Sequence, residues 1–181
     1  MQKIKDILNS AVGEKVIGLA QPIQFKKGDL LLASNESQNN VYYIKSGIAR
    51  SYYIDENGNS ITKSFLQAGE FLDGEALFSD VSLEAFDAIE DMDCLKFNAE
   101  KLKSFILADE ELQKMYIEEL EATIRYKMRR EYGFQSLTAK QRYLEFKDIY
   151  GNLEQRIPQS FIAFYIGITK ESLSRIRKSL N

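Results

Sequence analysis

The carboxy-terminal stretch of the chain, residues 158–181, places basic and polar side chains on one side of two short helical patterns. The patterns meet at Gly167, and a glycine tolerates the positive φ that lets two short helices cross steeply. Seven positions fit this arrangement because they are apolar, small or glycine: Ile162, Ala163, Ile166, Gly167, Ile168, Leu173 and Ile176. The outward positions of the second pattern are Lys170, Glu171, Ser174, Arg175 and Lys178. The layout is typical of a helix-turn-helix, whose second helix enters the DNA major groove. We favour it over an ordinary αα-hairpin with a solvated basic face.

Few side chains elsewhere suit catalysis or the binding of a metal or cofactor. Cys94 is the only cysteine and the chain has no histidine. An intramolecular disulfide, a four-thiolate metal site and the commonest general base are therefore excluded. Cys94 lies in a segment that alternates like a strand, which indicates a buried structural thiol. We predict no catalytic residue, no metal site and no cofactor, and a remaining enzyme hypothesis would need a carboxylate pair such as Glu75 with Asp87.

Charge is distributed unevenly along the chain. Residues 1–124 contain 12 Lys+Arg and 22 Asp+Glu, a balance of −10, whereas residues 125–181 contain 12 and 5, a balance of +7. An acidic front and a basic rear favour a sensory or regulatory domain followed by one that binds a polyanion. No apolar run approaches the ~20 residues that span a bilayer, and the amino terminus lacks the hydrophobic core of a signal peptide. We expect a cytoplasmic protein that does not bind a membrane.

The first half of the chain predicts a short amphipathic helix followed by an antiparallel barrel. The helical spacing within residues 3–20 comes from Ile4, Ile7, Leu8 and Val12. It is expected to break near Gly13, with a second turn following. Strands are expected over residues 23–26, 30–33, 41–46, 49–54, 59–66, 83–89 and 93–97, which are separated by turn residues. The clearest hairpin signal is the turn at residues 55–58. Short strands at this spacing favour a jelly-roll barrel, so the predicted fold class is α+β.

The second half of the chain predicts helices over residues 101–107, 109–132 and 138–150. The longest has an apolar seam at intervals of three or four residues, formed by Ile117, Leu120, Ile124 and Met128. Such a seam can pack within its own domain or pair with a second copy as a coiled coil. Gly133 is expected to end this helix and to open a hinge at residues 133–135. The expected domains are a barrel with its amino-terminal helix at 1–108, a long dimerisation helix and hinge at 109–135, and a helix-turn-helix domain at 136–181.

Several short motifs, in order, resemble the Crp/Fnr family of bacterial transcription regulators, in a version similar to that of Bacteroidetes. They are Phe25-Lys-Lys-Gly28-Asp29, Val41 to Gly47, Gly69-Glu70-Phe71, Gly74-Glu75, Ile162-Ala163 and Arg175-Ile176-Arg177. Each motif alone is weakly specific, but their order and spacing cover nearly the whole chain. The resemblance implies a cyclic-nucleotide-binding-type barrel joined to a winged helix-turn-helix. It also implies a homodimer that binds double-stranded DNA and responds to a small-molecule effector, with RNA polymerase as a further partner.

The resemblance also implies which residues read DNA. Base contacts are expected from Lys170, Glu171 and Arg175, since arginine can bind guanine with two hydrogen bonds and glutamate can accept one from cytosine. Phosphate contacts are expected from the side chains that flank these: Gln159, Arg177 and Lys178. Thr169 and Ser174 complete the expected DNA-binding set. Glu171 has an equally weighted alternative role, in which its carboxylate interacts with the helix dipole.

The family's cyclic-nucleotide cassette is incomplete in this chain. Gly74-Glu75 is present, but the arginine that the family places on the cyclic phosphate is absent, and residues 73–93 contain no Lys or Arg. We therefore expect no useful cAMP or cGMP binding, since the eight acidic residues of that segment would repel a phosphate. The pocket residues expected from the barrel are Tyr52, Tyr53, Phe65, Gly74 and Glu75. An uncharged or cationic ligand, a protein partner or no ligand at all remain open.

Two further questions stay open at the level of sequence. Any wing hairpin would have to lie in residues 152–157 or be missing. The rival hypothesis is a regulatory barrel that binds a ligand or protein and whose helical tail docks a protein partner instead of DNA. The salt dependence of binding would separate the two hypotheses, since DNA binding through several phosphates weakens steeply as salt rises.

Overall fold

A computed structural model of the protein describes residues 11–73, 77 and 81–180. The chain divides into two compact units, Met1–Ile117 and Glu118–Asn181. Helix α1 (Ala11–Ile17) runs through Gly13, so the break that the sequence predicted there was wrong. The predicted apolar residues Ile4, Ile7 and Leu8 lie outside the described residues.

The first unit is built on two antiparallel sheets of four strands each. The strands are β1 (Gln21–Phe25), β2 (Leu30–Leu32), β3 (Asn40–Ser46), β4 (Ile48–Ile54), β5 (Ser60–Gln67), β6 (Phe71–Leu72), β7 (Ala85–Ala88) and β8 (Met92–Asn98). One sheet has the order β1-β8-β3-β6 and the other the order β2-β7-β4-β5. The predicted α+β class with antiparallel strands is confirmed. Strand β6 was not predicted, because two residues are too few to show an alternating pattern.

The core of this unit has two apolar layers, one on each face of the first sheet. Successive side chains of a strand point to opposite faces, and β3 follows this rule. Tyr42 and Ile44 pack between the two sheets, with Cys94 and with Phe86 of the second sheet. The alternate residues of β3 pack in the other layer, together with apolar residues of helix α2 (Ala99–Leu107). The thiol of Cys94 is 1% exposed, and burial raises its pKa to about 11, so the predicted structural role of this cysteine is confirmed.

Helix α3 (Glu110–Ser136) is longer than the sequence indicates. The prediction that it ends at Gly133 was wrong. Glycine in a helix interior costs only ~1 kcal/mol relative to alanine, and here its missing side chain leaves room for a neighbour. A Cβ at Gly133 would lie 3.2 Å from Oε2 of Glu145. The helix ends instead just before Thr138, which begins the next one.

The second unit contains three further helices after the last part of α3. Helix α4 (Ala139–Tyr150) has the predicted capping box, in which Thr138 and Gln141 bind each other's backbone N–H groups. A 3-10 turn (Gly151–Leu153) leads towards α5 (Gln159–Ile166) and α6 (Lys170–Lys178). Among residues 118–180 there is no strand, and residues 152–157 form helical and hydrogen-bonded turns. No wing hairpin is therefore seen in the described part of this unit.

Candidate functional site

The bend between α5 and α6 has the geometry that the sequence predicts. Gly167 ends α5 in the left-handed conformation, with φ of 71°. Thr169 begins α6, and its side-chain oxygen accepts a hydrogen bond from the Ser172 N–H at 3.2 Å. The four most deeply buried residues of the seven predicted for this motif are Ile162, Ala163, Ile166 and Leu173, each at most 1% exposed. Ile168 and Ile176 are half-buried.

The opposite face of α6 is open to solvent. The exposed members of the expected DNA-binding set are Gln159, Thr169, Lys170, Glu171, Arg175 and Lys178. Ser174 and Arg177 are half-buried. Leu173 anchors α6 from its buried side, so the exposed side chains of α6 face solvent on the side away from Leu173. Gln159 is exposed at the start of α5.

Arg175 and Glu171 both make contacts within α6. The Arg175 Nη2 donates to the Ser172 hydroxyl at 3.0 Å. The Glu171 carboxylate accepts from its own backbone N–H and from the Thr169 hydroxyl, which lowers its pKa. Glu171 is therefore ionised at neutral pH and sits at the amino-terminal end of α6, as its alternative role requires.

Arg177 takes part in a small polar network rather than projecting freely. Its Nη2 lies 3.3 Å from Oε1 of Glu154, and the Tyr143 hydroxyl donates to the same carboxylate oxygen. Burial and the hydrogen bond to Glu154 raise the pKa of Tyr143 to about 12. The side chain of Arg177 is 33% exposed and that of Glu154 is 12% exposed, so this network ties α6 to the segment after α4.

The expected pocket residues of the barrel occupy different environments. Phe65 is 2% exposed and belongs to the interior, Tyr52 is half-buried, and Tyr53 is 41% exposed. Gly74 and Glu75 lie outside the described residues. The three aromatic residues therefore do not share one environment.

A buried ion pair that sequence reasoning missed lies across β4 and β7. Arg50 stands directly opposite Asp87 and binds it twice, with Nε–Oδ1 at 3.0 Å and Nη2–Oδ2 at 2.5 Å. Its Nη1 donates to the Ser60 hydroxyl at 3.1 Å, and its guanidinium stacks on the Tyr52 ring at 4.2 Å. Asp87 is thus neutralised, which leaves it no part in the hypothetical catalytic pair with Glu75.

A second buried carboxylate, that of Glu84, is neutralised in the same sheet. It accepts from the Ser51 hydroxyl at 2.5 Å and forms an ion pair with Lys63. At the surface, Lys26 Nζ lies 2.9 Å from Oδ2 of Asp91. Residues 73–93 were expected to form an acidic field without compensating cations, and this was wrong for Glu84, Asp87 and Asp91. The expectation counted only the charges within residues 73–93, whereas the cations that pair with these carboxylates come from strands and turns distant in sequence.

The described residues contain neither a candidate metal site nor a candidate membrane-spanning helix. No group of three or more Cys, Asp or Glu side chains is arranged to hold a metal ion within the described ranges. None of the described helices combines the length and apolarity needed to cross a membrane.

Comparison with known proteins identifies the family of the barrel. Residues 22–109 match the cyclic nucleotide-binding domain family. No curated protein matches the sequence. Among solved structures, FixK2 from Bradyrhizobium japonicum is 19% identical with a TM-score of 0.80, and the match covers 89% of this chain and 84% of that one. A CooA mutant from Carboxydothermus hydrogenoformans is 17% identical with a TM-score of 0.76, covering 97% and 82%.

A third similar structure is the c-di-GMP-responsive global regulator CLP from Xanthomonas campestris. It is 14% identical, with a TM-score of 0.75 over 93% of this chain and 90% of that one. At these identities the matches show the fold, and they extend over both units. Residues 22–109 therefore match the cyclic nucleotide-binding domain family, the kind of domain that the Crp/Fnr resemblance implies for this part of the chain.

Proposed function

We propose that the chain is a sequence-specific DNA-binding transcription regulator that acts as a homodimer in the cytoplasm. The observation that carries this proposal is the exposed basic face of α6, on a short helix anchored by the fully buried Leu173. The surrounding segment, residues 125–181, has a charge balance of +7, which favours approach to DNA phosphates. In this proposal α5, Gly167 and α6 form a helix-turn-helix, and α6 is the recognition helix.

The recognition helix reads bases with Lys170, Glu171 and Arg175. Gln159 and Lys178 bind phosphates, and Thr169 and Ser174 lie along the same contact surface. Arg175 supplies most of the discrimination, since one arginine bound to guanine by two hydrogen bonds is worth ~1–3 kcal/mol over the wrong base. Replacement of Arg175 by alanine should weaken operator binding far more than binding to scrambled DNA, as measured by gel shift. An equal loss on both DNAs would refute base reading.

The long helix α3 supplies the dimer contact in this proposal. Its seam residues are solvent-exposed in the single chain, by 56% at Ile117, 55% at Ile124 and 63% at Met128. A row of exposed apolar side chains at helical spacing is what a second copy would cover in a coiled coil. Dimerisation would place two recognition helices about 34 Å apart, one DNA turn. We also propose RNA polymerase as a further partner, in the case that the regulator activates transcription.

The two-sheet jelly-roll barrel would be the regulatory part, and we propose that neither cAMP nor cGMP is its ligand. Two cations of the second sheet, the buried Arg50 and the half-buried Lys63, are paired with Asp87 and Glu84. A cyclic phosphate would have to break one of these pairs and leave a carboxylate buried without its partner, which is strongly unfavourable. Titration calorimetry should show no binding at micromolar nucleotide, and a low-micromolar Kd would contradict the proposal.

The proposal is tested by selecting bound sequences from random DNA, with and without cell metabolites. A palindromic consensus is the expected result, and its affinity should fall steeply with salt concentration because several phosphates are contacted. If no sequence is enriched and binding to DNA is weak at all salt concentrations, the rival role, in which the helical tail docks a protein, is favoured instead.

A further inference from the structure

The carboxy-terminal end of α5 is held by two arginines that come from other helices. The last carbonyl groups of a helix have no partner within it. Here the Tyr165 carbonyl accepts from Arg130 Nη1 at 2.8 Å, and the Ile166 carbonyl accepts from Arg142 Nε at 2.8 Å. Arg142 also donates from Nη1 to the Leu137 carbonyl at 2.6 Å, so it joins the end of α3 to the end of α5.

An aromatic ring lies against the glycine that follows. A Cβ at Gly167 would lie only 2.7 Å from Cε1 of Phe134, which is closer than two non-bonded carbon atoms can approach. Both guanidinium groups flank this ring, at 4.9 Å for Arg130 and 5.2 Å for Arg142 from the ring centre. Arg130 also stacks on Tyr165 at 3.8 Å. We call Arg130, Phe134 and Arg142 the turn clamp.

The clamp acts on the turn that links α5 to α6. Gly167 N–H and Ile168 N–H donate to the Phe164 and Ala163 carbonyls, at 3.1 and 3.0 Å. These two bonds define the left-handed turn, and α6 begins three residues after Gly167. A change in the backbone angles at the turn would therefore rotate the exposed side chains of α6 as a group.

We propose that the turn clamp positions the recognition helix: it fixes the turn at Gly167 and so sets the angle at which α6 meets the bases. This inference rests on the proposed function of α6. The clamp residues are positioning residues, since their polar groups bind backbone carbonyls and Phe134 contacts the turn. Loss of the clamp should therefore reduce discrimination between sequences more than it reduces general affinity for DNA.

The first test replaces Arg142 by methionine, with Lys140→Met as the control. Both changes remove one positive charge from α4, but Lys140 is exposed and lies outside the clamp. In Arg142→Met the ratio of scrambled-DNA Kd to operator Kd should fall at least tenfold, while the scrambled-DNA Kd changes no more than in the control. Arg142→Lys, which keeps a donor and the charge, should recover part of the ratio. Equal losses for Arg142→Met and Lys140→Met would overturn the proposal.

The second test examines the contact between Phe134 and Gly167. Gly167→Ala should abolish discrimination, and Phe134→Ala in the same chain should restore part of it because the collision is removed. The matched control is Phe164→Ala combined with Gly167→Ala, since Phe164 is a half-exposed ring on α5 (40% exposed, against 47% for Phe134). If this control restores discrimination equally, Phe134 has no special role.

A readout without DNA separates failure of the clamp from failure of the proposed function. Amide hydrogen exchange at Gly167 and Ile168 should accelerate at least tenfold in Arg142→Met, while exchange at Leu173 within α6 stays unchanged. Unchanged exchange at the turn would overturn the clamp even if the protein binds DNA. Absence of any selected sequence for the unmodified protein would reject the DNA-binding role while the exchange result still decides whether the clamp holds the turn.

Discussion

The buried ion pair of Arg50 and Asp87 shows how single residues can control the stability of the first unit. The pair is almost closed to solvent, with 5% of the Arg50 side chain and 19% of the Asp87 side chain exposed. A buried charge whose partner is removed keeps its desolvation cost without the attraction that offset it. Removal of one partner of such a pair therefore lowers the stability of the protein far more than replacement of both partners by apolar residues.

Replacement of Asp87 by alanine should lower the free energy of unfolding by about 3–5 kcal/mol, because the Arg50 guanidinium would stay buried without its carboxylate. The double variant Arg50→Met with Asp87→Leu should lose much less. Urea unfolding followed by circular dichroism measures both. A single variant no less stable than the double variant would show that the pair is not desolvated.

Arg177 and Lys178 are neighbours in sequence, but the structure gives them different surroundings. Lys178 is exposed, whereas Arg177 is paired with Glu154. Replacement of Lys178 by glutamine should remove one phosphate contact. The plot of log DNA affinity against log salt concentration should then become less steep, its slope falling in magnitude by about 1. Arg177→Gln should leave that slope unchanged and lower the free energy of unfolding by up to about 1 kcal/mol. A reduced slope for Arg177→Gln would restore its expected role as a phosphate contact.

At the scale of the element, Gly133 separates two explanations of the long helix. If its only effect is to leave a Cβ out of a continuous helix, Gly133→Ala should stabilise the protein by about 0.5–1 kcal/mol. The nearest atom to the added methyl group would belong to the Glu145 carboxylate, the end of a flexible side chain, at 3.2 Å. Urea unfolding checks the sign of the change. A destabilised variant would mean that the missing side chain is needed, either to leave room for the Glu145 carboxylate or for a bend at residues 133–135.

Local patterns account for most of the elements. The hairpin between β4 and β5 follows from Asp55, whose carboxylate accepts from the Asn57 and Asn59 N–H groups at 2.9 and 2.8 Å. The cap of α4 follows from the spacing of Thr138 and Gln141. Each of these signals lies within a few residues of the structure that it determines, which is why the sequence alone predicts it.

Long-range contacts within each unit could not be predicted in this way. Arg50 and Asp87 are 37 positions apart, and Arg130 lies 35 positions from the carbonyl that it caps. Nothing in the local pattern of either residue indicates its partner. The exposed face of α6 could be predicted because helical spacing determines it, whereas the turn clamp depends on how three helices pack.

At the scale of the whole molecule, the charge asymmetry and the apolar seam lead to the same expectation. Residues 1–124 would repel DNA with their balance of −10, whereas residues 125–181 carry +7. A single copy would offer DNA one short basic helix. Two copies joined through α3 would offer two, and the second contact would then form at a high effective concentration.

Replacement of Ile124 by glutamate should therefore give a monomer, because two like charges would face each other in the seam of the coiled coil. Ile124 is 55% exposed in the single chain, so the variant should fold normally and keep its melting temperature in dilute solution. Thr123→Glu is the matched control, since it adds the same charge to an exposed position of α3 outside the seam. Sedimentation equilibrium at micromolar concentration should find a monomer only for Ile124→Glu, and its affinity for a palindromic operator should fall at least tenfold while its affinity for an isolated half-site is unchanged. A dimer that survives Ile124→Glu would place the contact between copies elsewhere on the molecule.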